Sequence, residues 1–176
     1  MHRLMVVSAL VGLLAAPLVA QVKKMDVPGI VNYSRVDATV GCGGSVDPAA
    51  MSALKKEGYV SVINLRLPTE AGANVEAGRA AAEAAGLKYI HLPFNAAAPD
   101  EKVVDSFLAA VATKANQPVF IHCGSANRVG GMWMIKRALQ DGWPIDRART
   151  EAEAIGLRDA KLTAFATQYI ETHRRN

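Results

Sequence analysis

The segment Val119–Gly131 reads VFIHCGSANRVGG and combines the end of a strand, a short loop and the start of a helix. The apolar run before Cys123 is typical of a strand buried inside a sheet. The small residues of Gly124–Ala126 permit a tight turn, and Arg128 opens the next helix. Because ligands of open α/β sheets bind beyond the carboxyl ends of strands, we expect a binding site at this loop.

Strand and helix patterns alternate on both sides of this segment. Strands are predicted at Val36–Val40, Tyr59–Leu65, Lys88–Pro93 and Pro118–His122. Helices are predicted from the N-cap Asp47 to Glu57, in an alanine-rich stretch that ends at Gly86, and at Asp100–Ala115, Val129–Asp141, Asp146–Ile155 and through Leu162–Ile170. This order predicts an α/β three-layer sandwich whose central, mostly parallel sheet is flanked by helices.

Composition excludes several classes of site. The 176 residues suit one domain, and the 51% of hydrophobic residues can form a core. Two cysteines exclude a four-cysteine zinc or iron–sulfur site, and four scattered histidines disfavour a histidine-rich metal site. A net charge of +4 without a long basic run disfavours nucleic-acid binding. We therefore expect no metal and no cofactor.

Residues 1–20, MHRLMVVSALVGLLAAPLVA, have the layout of a secretory signal peptide. Arg3 precedes an apolar stretch that is shorter than the roughly 20 residues of a membrane-spanning helix. We expect cleavage after Ala20, a single mature domain at residues 21–176, and a periplasmic or secreted protein with no stable membrane anchor. An uncleaved anchor is the alternative.

Cys123 and Arg128 carry the chemistry that the loop predicts. Successive backbone N–H groups of a strand–loop–helix turn form a nest for an anion, and they favour a thiolate at its base. The planar guanidinium of Arg128 can hold two oxygens of a tetrahedral anion. A thiolate below a bound phosphate is placed to attack phosphorus. The alternative is a core cysteine beside a surface arginine.

The loop resembles the signature of cysteine-dependent protein tyrosine and dual-specificity phosphatases. It is more similar to bacterial phosphatase-like domains related to the beta-lactamase hydrolase-like proteins, in which four residues separate the cysteine from the arginine, as in Cys123–Arg128. Further matches are Val62–Arg66 (VINLR), Gly43–Ser45 and Gly142–Pro144. The resemblance extends over nearly the whole mature chain.

The resemblance implies a role for each matching residue. Cys123 would be the nucleophile that forms a cysteinyl-phosphate. The phosphoryl group would be held by Arg128 and by the amides of Gly124, Ser125, Ala126, Asn127 and Arg128. Arg66 would face the same mouth, although a salt bridge with Glu70 explains its position equally well. The substrate would be a phosphotyrosine-like or small aryl or alkyl phosphomonoester, on a small molecule or a protein.

Three departures from the phosphatase pattern bear on activity. The loop is one residue shorter than in the well-known enzymes, and Val129 stands where they have a serine or threonine that helps the thiolate leave. Their general-acid aspartate is expected near Asn95 and Ala96, where this chain has no acid. Asp100 is the nearest candidate acid, and a helix N-cap is its alternative role.

Two other functions stay open at this point. Rhodanese-like sulfurtransferases also use a six-residue loop that begins with a thiolate cysteine, and Cys123–Arg128 fits that spacing. A non-catalytic anion-binding or redox protein is the third possibility, with Cys42 as a resolving partner in a Cys42–Cys123 pair.

Overall fold

Six strands form one sheet in this computed structural model, which describes residues 22–174. The predicted signal peptide lies outside the described residues. The strands are β1 Lys23–Lys24, β2 Ser34–Arg35, β3 Val40–Gly43, β4 Ser61–Asn64, β5 Lys88–His91 and β6 Val119–His122. Their order across the sheet is β1-β2-β3-β6-β4-β5. The last four in this order are mutually parallel, and β1 and β2 are antiparallel additions at one edge.

Six helices cover the two faces of the sheet. They are α1 Met51–Lys56, α2 Val75–Ala84, α3 Glu101–Ala112, α4 Asn127–Leu139, α5 Ile145–Ile155 and α6 Ala160–His173. Alternate residues of the central strands point to opposite faces, so Ile63 and Ile121 pack with α3 to α6, whereas Val62 and Phe120 pack with α1 and α2. This arrangement confirms the predicted α/β sandwich. No helix within residues 22–174 is long and apolar enough to cross a membrane.

The first predicted strand is misplaced. Val36–Val40 was expected to form it, but the strand is Val40–Gly43. The Asp37 carboxylate accepts a hydrogen bond from Thr39 N at 2.8 Å and shapes a turn before the strand. Glycine is required inside β3 because a Cβ at Gly41 would lie 2.0 Å from the Tyr59 hydroxyl oxygen.

The remaining elements lie close to their predicted positions. Asp47 accepts from Ala49 N, as an N-cap does, although a short 3₁₀ turn at Pro48–Ala50 precedes α1. The two-residue strands β1 and β2 were not predicted, since two residues show no periodicity.

The sheet places four chain segments at one edge. Strands β3, β6, β4 and β5 are parallel, so their carboxyl ends all open there. The central strand β6 delivers Cys123 to this edge. Its neighbours β3 and β4 deliver Gly44 and Arg66, and β5 leads into the loop at residues 92–99. The topology therefore gathers the predicted loop and its surroundings at the expected place.

Candidate active site

Cys123 lies at the base of the loop that follows β6. Its residue is only 1% exposed, and its backbone N–H donates to Gly43 O at 3.3 Å. One residue later, Gly124 O accepts from Ser45 N at 2.9 Å. These bonds tie the first part of the loop to the end of β3, so the sulfur position is set by the sheet.

The backbone amides after Cys123 are free of protein acceptors. Within residues 22–174, none of the N–H groups of Gly124–Arg128 donates a hydrogen bond to backbone or side chain. Ala126 stands in the left-handed region with φ of 73°, and it is fully buried against Gly156. A non-glycine residue in this region costs about 1–2 kcal/mol, which the packing must offset. The result is a loop whose unpaired amides can bind an anion.

Two asparagines hold the loop from outside. Asn127 Oδ1 accepts from Arg158 N at 2.7 Å and from Asp159 N at 3.1 Å. Asn32 Nδ2 donates to Ser125 O at 3.2 Å. The side chain of Asn127 therefore fixes the start of α4 against the segment after α5, and its backbone amide remains available to a ligand.

The guanidinium of Arg128 has one edge occupied and one edge free. Both oxygens of Glu70 accept from this guanidinium: Oε1 from Nη1, and Oε2 from Nη2 at 2.8 Å. Nη1 also donates to the carbonyl oxygens of Leu65 and Phe94, and both of these distances are 3.2 Å. Among the described residues, the Nε–H and the second Nη2–H donate to no oxygen acceptor, and the guanidinium lies beside the Cys123 thiol. These two donors lie side by side, so they can bind two oxygens of one anion.

Glu70 is the site residue that sequence reasoning did not assign to the anion site. Its carboxylate accepts hydrogen bonds from the guanidinium groups of Arg128 and Arg66 and from the backbone N–H of Leu67. Bonding by Arg128, the largest effect, lowers the pKa of Glu70 to about 2. Glu70 is therefore a permanent anion and no proton donor near neutral pH. The only sequence signal was its four-residue spacing from Arg66, which indicates a salt bridge but does not reveal Arg128.

The structure places the guanidinium of Arg66, which we expected to bind phosphate, in hydrogen bonds to the loop after β4. Its residue is 7% exposed, and its three nitrogens donate to Glu70 Oε2 at 3.2 Å, Gly72 O at 2.7 Å and Ala71 O at 2.7 Å. The carbonyls of the loop after β4 therefore take up its guanidinium. The salt bridge between Arg66 and Glu70, which was the alternative role predicted for Arg66, is present in the structure.

A family model of the beta-lactamase hydrolase-like protein, phosphatase-like domain, matches residues 33–140. This match includes the loop at Cys123–Arg128, Glu70 and most of the sheet. The chain belongs to this phosphatase-like family. The resemblance read from the sequence is thereby confirmed, and family and fold together support a phosphatase.

Solved phosphatase structures share the fold of this phosphatase-like domain. A DUF442 protein from Shewanella putrefaciens CN-32, described as a phosphatase, superposes with a TM-score of 0.70 at 22% identity, over 84% of this chain and 96% of its own. TpbA of P. aeruginosa gives 0.67 at 22% identity, over 90% and 94%. The catalytic core of the S. cerevisiae PP-IP phosphatase SIW14 gives 0.66 at 20% identity, over 85% and 89%. No curated protein sequence is similar enough to count as a match.

The phosphatase-like domain uses Asp100 as a helix cap. Its exposed carboxylate accepts from Lys102 N at 2.9 Å at the start of α3, and within residues 22–174 it makes no hydrogen bond to the loop at Cys123–Arg128. Asn95 Oδ1 is likewise engaged in a local turn, accepting from Ala97 N at 3.0 Å. The role of general acid expected for Asp100 therefore has no geometric support here, because capping accounts for its orientation.

Cys42 and Cys123 are free, buried thiols. Cys42 pairs with Ile121 across β3 and β6, so Cys123 lies two residues further on the same face. Burial raises the pKa of the Cys42 thiol well above its ordinary value. The structure therefore contains no Cys42–Cys123 bond and keeps Cys42 protonated.

No group of three or more potential metal ligands occurs among residues 22–174.

His122 gives the domain an acid-sensitive stability. It is 3% exposed beneath the loop, and burial lowers its pKa from 6.5 to about 4. The unfolded chain takes up a proton on His122 at a higher pH than the folded chain does. Acid therefore favours unfolding as the pH falls from 6.5 towards 4. We expect urea denaturation to show a loss of about 2 kcal/mol between pH 7 and 5. This window lies above the range in which Glu70 titrates.

The matched variant for this measurement is His122→Gln. It lacks the titrating group, so its free energy of unfolding should change less over the same pH range, whatever its absolute value at pH 7. An equal pH dependence in both proteins would assign the effect to another group.

Proposed function

We propose that this chain is an exported, metal-independent phosphatase that uses Cys123 as its nucleophile. The observation that carries the proposal is the combination of Cys123 at the base of five unpaired amides with a free two-donor edge on Arg128. Together these five amides and two guanidinium donors are seven N–H groups beside one thiol, a set that suits the oxygens of a phosphoryl group. Membership of the phosphatase-like family supports the same chemistry.

The reaction proceeds in two displacements. The Cys123 thiolate attacks phosphorus, an S–P bond forms, and the P–O bond to the leaving group breaks. The amides of Gly124–Arg128 and the free edge of Arg128 stabilise the charge on the phosphoryl oxygens. Water then attacks phosphorus, the S–P bond breaks, and inorganic phosphate and the thiolate are released.

An aryl phosphomonoester, phosphotyrosine-like, is the substrate class that we propose. A groove of about 450 Å³ is lined by residues 26–31 and 45–48 together with Gly72 and Asn74. Val31, which is 52% exposed, stands on this groove, and its carbonyl accepts from Gly44 N beside the loop. An apolar ring next to the phosphate would contact this surface. TpbA has been solved in complex with phosphotyrosine, which supports this class for a chain of the same fold.

The rate should depend steeply on the leaving group. Asp100 is engaged as a cap and Glu70 is a permanent anion, so neither protonates the departing oxygen. Loss of a general acid costs about 10²–10⁴ in rate, and the cost is smallest when the leaving group is a weak base. We expect kcat/KM for para-nitrophenyl phosphate to exceed that for an unactivated alkyl phosphate by at least about 10². Equal rates for aryl and alkyl esters would show that an acid does operate.

Turnover of para-nitrophenyl phosphate by the reduced mature protein in EDTA tests the proposed function directly. Retained activity in EDTA is the expected result. Loss of activity in EDTA would assign the reaction to a metal. Formation of a persulfide on Cys123 from thiosulfate, without phosphatase turnover, would replace the proposal with sulfur transfer.

Export follows from the signal-peptide layout of residues 1–20, which supports a periplasmic or secreted site of action. In that oxidising compartment the two thiols of Cys42 and Cys123 are free and buried in the structure. The location is tested by fractionating cells that express the full chain and measuring which fraction contains the protein.

A further inference from the structure

Arg66 is a buried cation whose bonds all serve one loop. It donates from Nη1 to Gly72 O and from Nη2 to Ala71 O, both at 2.7 Å, and from Nε to Glu70. Three nitrogens that bond to three successive residues fix the path of residues 70–72. A surface salt bridge would need only one of these bonds, so the geometry is more specific than pairing of opposite charges.

The backbone of Arg66 is itself held on both sides. Its N–H donates to Asn64 Oδ1 at 2.8 Å, and its carbonyl accepts from His91 Nε2 at 2.8 Å. Asn64 is the last residue of β4 and His91 is the last residue of β5. The guanidinium therefore starts from a point that the sheet defines, and it transmits that position to the loop.

Glu70 connects this loop to the anion site. Each of its carboxylate oxygens accepts two donors: Oε1 binds Leu67 N and Arg128 Nη1, and Oε2 binds Arg66 Nε and Arg128 Nη2. The two arginines thus meet on one carboxylate. The orientation of that carboxylate decides which edge of Arg128 stays free for phosphate.

We propose that Arg66 is a positioning residue that orients Glu70 and, through it, the phosphate-binding edge of Arg128. The inference rests on the proposed function, because it assigns a role within the same anion site. It also explains why this buried arginine bonds to three successive residues of one loop. Arg66 acts on phosphate only through Glu70.

Arg66→Ala is expected to lower kcat/KM for para-nitrophenyl phosphate by about tenfold or more, because a small misplacement of a substrate-binding group is costly. Arg66→Lys should rescue little, since an ammonium cannot reach Glu70 and two carbonyls with fixed planar geometry. Arg79→Ala is the matched control: Arg79 also pairs with a nearby glutamate, Glu76, but on the surface of α2. It should retain full activity.

A double-mutant cycle with Glu70→Gln tests the route of action. If Arg66 acts through Glu70, Arg66→Ala has its full effect in the wild-type background and little effect in the Glu70→Gln background. The readouts are kcat/KM and the Kd for inorganic phosphate measured by calorimetry. A melting temperature for each variant shows that the protein compared is folded.

Two results would overturn the inference. A rise in the phosphate Kd by the same factor in both backgrounds would make Arg66 a direct phosphate ligand. Additive losses of kcat/KM in both backgrounds, with unchanged phosphate Kd, would make it a structural residue only. Failure of the proposed function is a different result: wild-type protein would show no thiol-dependent turnover, whereas the cycle in phosphate Kd could still be measured.

Discussion

Cys123→Ser is expected to reduce turnover of para-nitrophenyl phosphate by at least about 10³, because the hydroxyl is a far weaker nucleophile at neutral pH. The amides of Gly124–Arg128 and the guanidinium of Arg128 remain in the variant. Inorganic phosphate should therefore still bind, with a Kd within a few-fold of the wild-type value. The measurement is steady-state kinetics paired with calorimetry on the same preparation.

Cys42→Ser is the matched control for this result. Cys42 lies fully buried on the neighbouring strand and on the same face of the sheet, but its thiol stays protonated and takes no part in the proposed reaction. A serine there should cost stability of about 1 kcal/mol while kcat changes less than about twofold. Equal turnover in Cys123→Ser and wild type would remove the cysteine mechanism.

Arg128→Lys is expected to lower kcat/KM by about 10²–10³. The arginine binds both oxygens of Glu70 and two carbonyl oxygens, and it still offers two parallel donors to a ligand. An ammonium has three donors in total, so it cannot satisfy Glu70 and also hold two phosphate oxygens. The loss should appear both in KM and in kcat, since the guanidinium contacts oxygens that gain charge in the transition state.

Arg158→Lys is the control for charge and position. Arg158 is exposed on the segment that Asn127 caps, and its contact with Asn127 uses the backbone N–H. The substitution should leave kcat/KM unchanged. A comparable loss in both variants would show that the effect is not specific to the guanidinium of Arg128. Wild-type kinetics in Arg128→Lys would contradict the bidentate role.

Periodicity and motif alone were enough to predict the fold class and the place of the chemistry. Apolar β-branched runs that alternate with amphipathic helices leave few options other than a mostly parallel sheet covered on both faces. The loop at Cys123–Arg128 could be read directly, because residues that bind one anion from a single turn are neighbours in the chain. Features that depend only on neighbouring residues, such as the N-cap at Asp47, can therefore be predicted from the sequence and are found in the structure.

The partners of the arginines could be identified only from the folded chain. Glu70 and Arg128 are 58 residues apart, and their contact exists because β4 and β6 are neighbours in the sheet. Strand order does not follow from periodicity, so the sequence could indicate Arg66 with Glu70 but not Glu70 with Arg128. The same limit explains why Arg66 was expected at the phosphate.

The glycine-containing strand β3 shows the second limit. Propensity places the strand in Val36–Val40, because glycine is disfavoured in strand interiors. The side chains of Tyr59, which precedes β4, and of Phe120 in β6 occupy the space where side chains on Gly41 and Gly43 would stand. The strand therefore forms where the backbone can approach closely. Packing between segments that are distant in the chain overrides local preference, and only the assembled sheet reveals it.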